Sequence, residues 1–391
     1  MRRPRLALAL LLVLAASGTL AAEELWSELG FFVEMPAGFE LRDGDGKSRF
    51  SFADPAGGME FDIIAYERGR FAGAGAMAAE SLGKLGSKGE SEDFEYEGRK
   101  AVFATLDFAL GREARRGLAL FIEGRAAAGQ PGKGPGPERD YALLAHASAG
   151  KYEAYSPFLL SCLDAFSIDR AARRSPGPVS QYLLAWPPER PDRRRVAFPG
   201  APAAELPWSP REAEEEEETA GREYGVLSSY AQDPVLWAEA WGRFYRMVYR
   251  ESAARLDRLA LELSRSLPRE DPTEVARRVL AWVQGFTYER DPAGIDLVPP
   301  MAAAYEARGD CDARALAAAA ILERLGIDAI LMLSREYSHA LLAVDVPGGG
   351  QRFAFEGKKY LVGETTAKVG LGMIAANQAD WSKWLGVQLG D

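Results

Sequence analysis

The chain has 391 residues, two or three domains at ~150 residues each, and its 47% hydrophobic and 27% charged content excludes a mainly disordered or collagen-like protein. With 47 Lys plus Arg against 57 Asp plus Glu the formal charge is −10, so the basic excess that binding to a phosphate backbone needs is missing and no nucleic-acid partner is expected. Two Cys and two His cannot build a four-thiolate zinc site, an iron-sulfur cluster or a disulfide scaffold, and a mixed thiolate-imidazole zinc site would need all four; neither a metal nor a cofactor is expected.

The chain opens with Met1-Arg2-Arg3-Pro4-Arg5, an apolar run from Leu6 to Leu14, and the small residues Ala15-Ala16-Ser17-Gly18. This positive, apolar, small order is that of a secretory signal peptide, residues 1–21, with cleavage expected after Ala21. The run is shorter than the ~20 apolar residues that span a bilayer, and nothing downstream is long enough, so no stable span remains after cleavage. Loss of Arg2, Arg3 and Arg5 takes the charge from −10 to −13, which predicts an acidic protein exported to the periplasm or the extracellular space.

Residues 22–168 are expected to form a small α+β domain. Period-two alternation predicts strands at Phe31 to Pro36, Met59 to Tyr66 and Tyr141 to His146, and a helical stretch from Pro157 to Phe166 closes the segment. Asp43-Gly44-Asp45-Gly46 lacks the further acids of a calcium loop and reads as a turn. The Gly/Pro stretch from Gly129 to Pro135 has no Ser/Thr after its Lys, so it reads as a hairpin tip rather than a phosphate loop. The strand leading into Met35-Pro36-Ala37-Gly38-Phe39-Glu40-Leu41, the hairpin and the last helix Leu159-Leu160-Ser161-Cys162-Leu163-Asp164-Ala165-Phe166 together resemble domains of the PsbP/Mog1 kind.

Residues 169–232 are rich in Pro, Arg and Glu and read as a connector, with an edge strand near Arg195 to Phe198 and a solvated acidic run from Glu214 to Glu218. Residues 233–391 carry the chemistry. Trp237, Trp241, Phe244 and Val248 fall on one stripe of a long helix and are expected in the core. A second helix starts at Asp271-Pro272-Thr273-Glu274 and buries Val275, Val279 and Trp282 or Val283.

A third helix starts at Asp310, suited to the N-cap, and ends before Gly326, which places Cys311 in its first turn. The helix dipole there favours thiolate, but Asp310 and Asp312 oppose it, so a cationic partner is needed. His339, 28 residues on, starts the apolar run to Val346, which reads as a strand. A cysteine nucleophile and its base require that pairing, with a third group to orient the imidazole. Asp345 is six residues away along the strand, roughly 20 Å, and is too far. Glu364 ends a later strand that can return beside His339, in a register the sequence leaves open.

Gly309-Asp310-Cys311-Asp312 before an Ala/Leu helix, Ser338-His339-Ala340, Glu364-Thr365-Thr366 and the lead-in from Trp282 to Tyr288 resemble the transglutaminase-like superfamily in its bacterial cysteine-peptidase-like branch. The resemblance spans Val275 to about Ala376. It implies a papain-like α+β core with the Cys-bearing helix on an antiparallel sheet, and acyl transfer through a thioester. Cys311 matches the nucleophile, His339 the base and Glu364 the acid, although the family commonly has Asp before Pro-Thr at that third place. Gln284 is the candidate side-chain donor to the oxyanion, beside the Cys311 amide.

The expected activity is that of an exported cysteine hydrolase or acyltransferase acting on amide bonds of a protein or peptide substrate, cell-wall peptides included. The alternative is a catalytically inactive transglutaminase-like envelope binding module. Cys162 and His146 read as structural, and a Cys162–Cys311 disulfide is the arrangement that would consume the nucleophile.

Overall fold

The computed structural model describes residues 24–26, 29–124, 139–184, 192–198, 203–266, 271–290 and 297–390. The expected signal peptide and the Gly129 to Pro135 tip lie outside these residues. The fold is α+β, with antiparallel sheets and helices packed on them. Among the described residues no helix is long and apolar enough to cross a membrane.

The larger sheet has seven antiparallel strands, in the order Glu40–Gly44, Arg49–Ala53, Met59–Glu67, Arg139–Ser148, Glu113–Ile122, Arg99–Leu110, Ser91–Tyr96. Alternate residues Met59, Phe61, Ile63 and Ala65 are buried while their neighbours are half-buried, the period-two pattern of a pleated strand. Helix Tyr152–Asp164 packs Leu159, Cys162 and Leu163 on one face of this sheet, and helix Ala74–Leu85 packs Met77 and Ala78 on the other. The turn at Asp43 to Gly46 is closed by Asp45 Oδ1, which accepts the amides of Lys47, Ser48 and Arg49. His146 lies in the sheet with its ring nitrogens near Arg115 and Asp62, a structural setting.

Residues 192–232 hold a two-stranded hairpin, Asp192–Val196 with Ala204–Trp208, and helix Pro210–Ser228, whose cap Ser209 accepts the Glu212 amide. The acidic run differs from its expected solvated state. Helical period turns Glu215 and Glu216 inward with Glu212, Thr219 and Glu223 against helix Trp237–Ala253, while Glu214, Glu217 and Glu218 stay exposed. Glu216 accepts the Met301 amide, and Glu223 takes Ser161 and Arg243. Burial raises Glu215 and Glu216 to about 7 each.

A second large sheet positions the site. Its five antiparallel strands run in the order Arg352–Phe355, Lys358–Gly363, His339–Val344, Ala329–Ser334, Leu385–Gln388. Helix Cys311–Arg324 lies on it and is covered by helices Pro272–Val283, Trp237–Ala253, Asp257–Ser266 and Pro300–Glu306. This Ala/Leu helix is buried all round, with every residue from Ala313 to Leu322 buried. Six alanines in that stretch let sheet and helices approach closely from several sides. The helix ends in a Schellman pair: Gly326, at φ 79, and Ile327 donate their amides to Glu323 O and Leu322 O.

Candidate functional site

Cys311 is held at a helix start by backbone chemistry that its neighbours dictate. Asp310 is the N-cap, and its carboxylate accepts the Ala313 amide at 3.2 Å. Gly309 adopts φ 141, a value side chains rarely allow, and donates its amide to the Thr287 carbonyl, whose own amide goes to Ala307 O, so the chain reverses sharply into the helix. The buried Arg314 guanidinium donates to the carbonyls of Gly309, Phe286 and Thr365 at 2.9, 2.7 and 3.4 Å. One cation therefore ties the turn before Cys311 to the segment after helix Pro272–Val283 and to the loop carrying Glu364. An Arg inside an Ala-rich helix gave no sequence signal of that role.

Sheet register brings the imidazole and the carboxylate together. Strand Lys358–Gly363 runs antiparallel to strand His339–Val344 with Gly363 opposite Leu342, so Glu364, the next residue, emerges at the His339 end. His339 Nε2 and Glu364 Oε2 are 2.9 Å apart. The other oxygen, Oε1, accepts the Thr366 amide and hydroxyl at 2.7 and 2.6 Å. Burial alone pushes the Glu364 carboxyl up, but the bonds from His339 and Thr366 outweigh it and leave its pKa lowered. With Nε2 engaged, Nδ1 is the imidazole nitrogen left for a proton on sulfur. Asp345 is at the far end of the strand, 3.7 Å from Lys358 Nζ.

Cys311, His339 and Ala340 line one cavity of about 320 Å³, together with Trp237, Trp241, Tyr245 and Tyr288. The Ala340 amide, one residue from His339, lies near the sulfur and acts to lower the thiol pKa. The thiol proton itself points to Asp312 Oδ1 at 3.1 Å, and Tyr245 Oη donates to Asp312 Oδ2 at 2.6 Å. A thiol has one proton, so while Asp312 accepts it His339 does not. Burial first, then the charges of Asp312 and Asp310, push the thiol pKa up. Cys162 is fully buried and both cysteines are free thiols, so the disulfide does not form.

Gln284 stands differently from its expected role. It caps helix Pro272–Val283, and its Nε2 donates to Glu364 O at 2.8 Å and Val369 O at 2.9 Å. Both amide hydrogens are spent on the backbone, so Gln284 clamps the Glu364 loop and offers no donor to an oxyanion. Cys311 is the first helical residue, where the backbone N–H has no intrahelical acceptor. Trp237 and Trp241, expected in the core, are half-buried: they pack against it and also form part of the cavity wall. Asp310, Cys311 and Asp312 bring one potential ligand atom each within 4.8 Å. Adjacency at a helix start accounts for that grouping, and the Asp310 and Asp312 carboxylates already accept from Ala313 and Tyr245.

The chain matches no protein-family model and no curated protein. Among solved structures, cyanobacterial PsbP (CyanoP) from Synechocystis sp. PCC 6803 matches 39% of this chain and 98% of its own at 13% identity, with a TM-score of 0.30. At that score the likeness supports nothing about fold or activity.

Proposed function

We propose that the protein is an exported thiol acyltransferase or hydrolase of amide bonds, with a transglutaminase-like core in residues 233–391, joined to the 22–168 domain through the 169–232 connector. What carries the reading is the His339–Glu364 bond on the cavity that also holds the Cys311 sulfur. Glu364 holds Nε2 and so the tautomer and tilt of the imidazole, and Nδ1 takes the thiol proton. The sulfur attacks the amide carbon, the S–C bond forms, and His339 passes its proton to the departing nitrogen as the C–N bond breaks. Water or an incoming amine, deprotonated by His339, then displaces the sulfur from the thioester. The substrate is a protein or peptide, cell-wall peptides among them.

The inactive binding module is favoured by a different observation, the thiol proton held by Asp312 and the burial that keeps the sulfur neutral. Iodoacetamide at mildly acidic pH separates the two. Rapid labelling of Cys311 that is lost in His339→Ala supports the enzyme, whereas labelling only after denaturation overturns it.

A further inference from the structure

Helix Trp237–Ala253 carries its aromatic stripe from the core out to the site. Phe244 and Val248 are buried, but one and two turns earlier Trp241 and Trp237 are half-buried on the cavity wall. Their rings are 6.1 Å apart and inclined by 38°. The Arg335 guanidinium sits 5.7 Å from the Trp237 ring centre. Tyr288, 56% exposed, lines the same cavity. Two neighbouring indoles that a core role does not bury leave apolar area in water, a cost removed when an apolar group covers them.

The occupant is limited by size and by place. About 320 Å³ is at the low end of ligand sites, enough for a side chain and its flanking peptide units. The same cavity carries Cys311 and His339, so the group that fills it belongs to the molecule being attacked. Indole walls favour a third aromatic ring through offset or edge-on contact beyond plain area burial. Resting on the thiol acyl-transfer reading above, we propose that Trp237 and Trp241 form a specificity subsite for an aromatic side chain flanking the scissile amide.

Peptidyl chloromethyl ketones test this, because the sulfur forms a thioether as chloride leaves and each addition is read by intact mass. The acetyl-Phe probe is expected to label Cys311 of the full chain at least tenfold faster than the acetyl-Ala or acetyl-Asp probe, and Trp241→Ala is expected to bring the Phe to Ala ratio near one. A ratio near one in the unmodified protein, or an acetyl-Leu probe as fast as acetyl-Phe, overturns the aromatic subsite; His339-dependent labelling in that experiment leaves the thiol chemistry standing. Should no probe label native Cys311, the chemistry fails instead. Calorimetric binding of N-acetyl-phenylalaninamide to Cys311→Ala then decides the subsite: binding at least tenfold tighter than that of N-acetyl-alaninamide, and weakened in Cys311→Ala/Trp237→Leu, sustains it, and equal binding overturns it.

Discussion

Asp312→Asn is expected to make Cys311 more reactive, although it removes a residue in contact with the sulfur. Asp312 Oδ1 is 3.1 Å from Sγ, so ionising the thiol sets two negative charges side by side. At an effective dielectric of about 20, that repulsion is about 5 kcal/mol, or roughly four pKa units. The amide keeps a partial negative oxygen, Asp310 stays charged and water at the cavity screens, so the net fall is about two units. Two units give roughly a hundredfold more thiolate near neutral pH, and a less basic thiolate is about tenfold less nucleophilic at a Brønsted slope of ~0.4–0.5. Iodoacetamide should therefore alkylate Cys311 about tenfold faster in Asp312→Asn at pH 7, followed by intact mass with fully buried Cys162 as internal control. A rate within twofold of the unmodified protein, or a slower one, would show that Asp312 does not hold the sulfur neutral.

Three further outcomes are expected. Glu364 has a lowered pKa in the fold, so its pairing with His339 and Thr366 contributes stability above the ordinary carboxyl range and loses it as pH falls through the folded value. Glu364→Gln should then cost about 1–3 kcal/mol in urea unfolding at pH 7 and less as pH falls through the folded Glu364 value; a cost independent of pH refutes the lowered carboxyl. Glu215 and Glu216 have the opposite sign: raised to about 7, they bind protons in the fold that the unfolded chain has released, so stability declines as pH rises from about 5 to 8. Glu215→Gln should raise the melting temperature more at pH 8 than at pH 5, and an equal change at both would refute its burial as a charge. Gly309→Ala puts a methyl 2.6 Å from Ala313 Cβ at φ 141, and a loss of about 1–3 kcal/mol together with slower Cys311 labelling is expected; an unchanged denaturation midpoint would show that the turn tolerates a side chain.

The parts legible in the sequence follow local rules. Asp271 and Asp310 accept amides of their own first turns, and Gly326 closes the helix that Asp310 opens. The strand that His339 starts ends where its apolar run meets Asp345. The side chains that surround the sulfur were not legible in this way. Tyr245 reaches Asp312 across 67 residues, and Arg314 reaches Thr365 across 51. Glu215 and Glu216 looked like any solvated acid until a neighbouring helix covered their face.

Sequence alone determined the helix mouth that presents Cys311, the strand that carries His339 and the placement of Glu364 just beyond a later strand, because capping and alternation are settled within a few residues. Tertiary structure decided which carboxylate meets the imidazole, where the thiol proton rests and that Gln284 serves as a clamp. Those depend on sheet register, on burial and on hydrogen bonds between segments far apart in the chain, and no local pattern encodes their geometry.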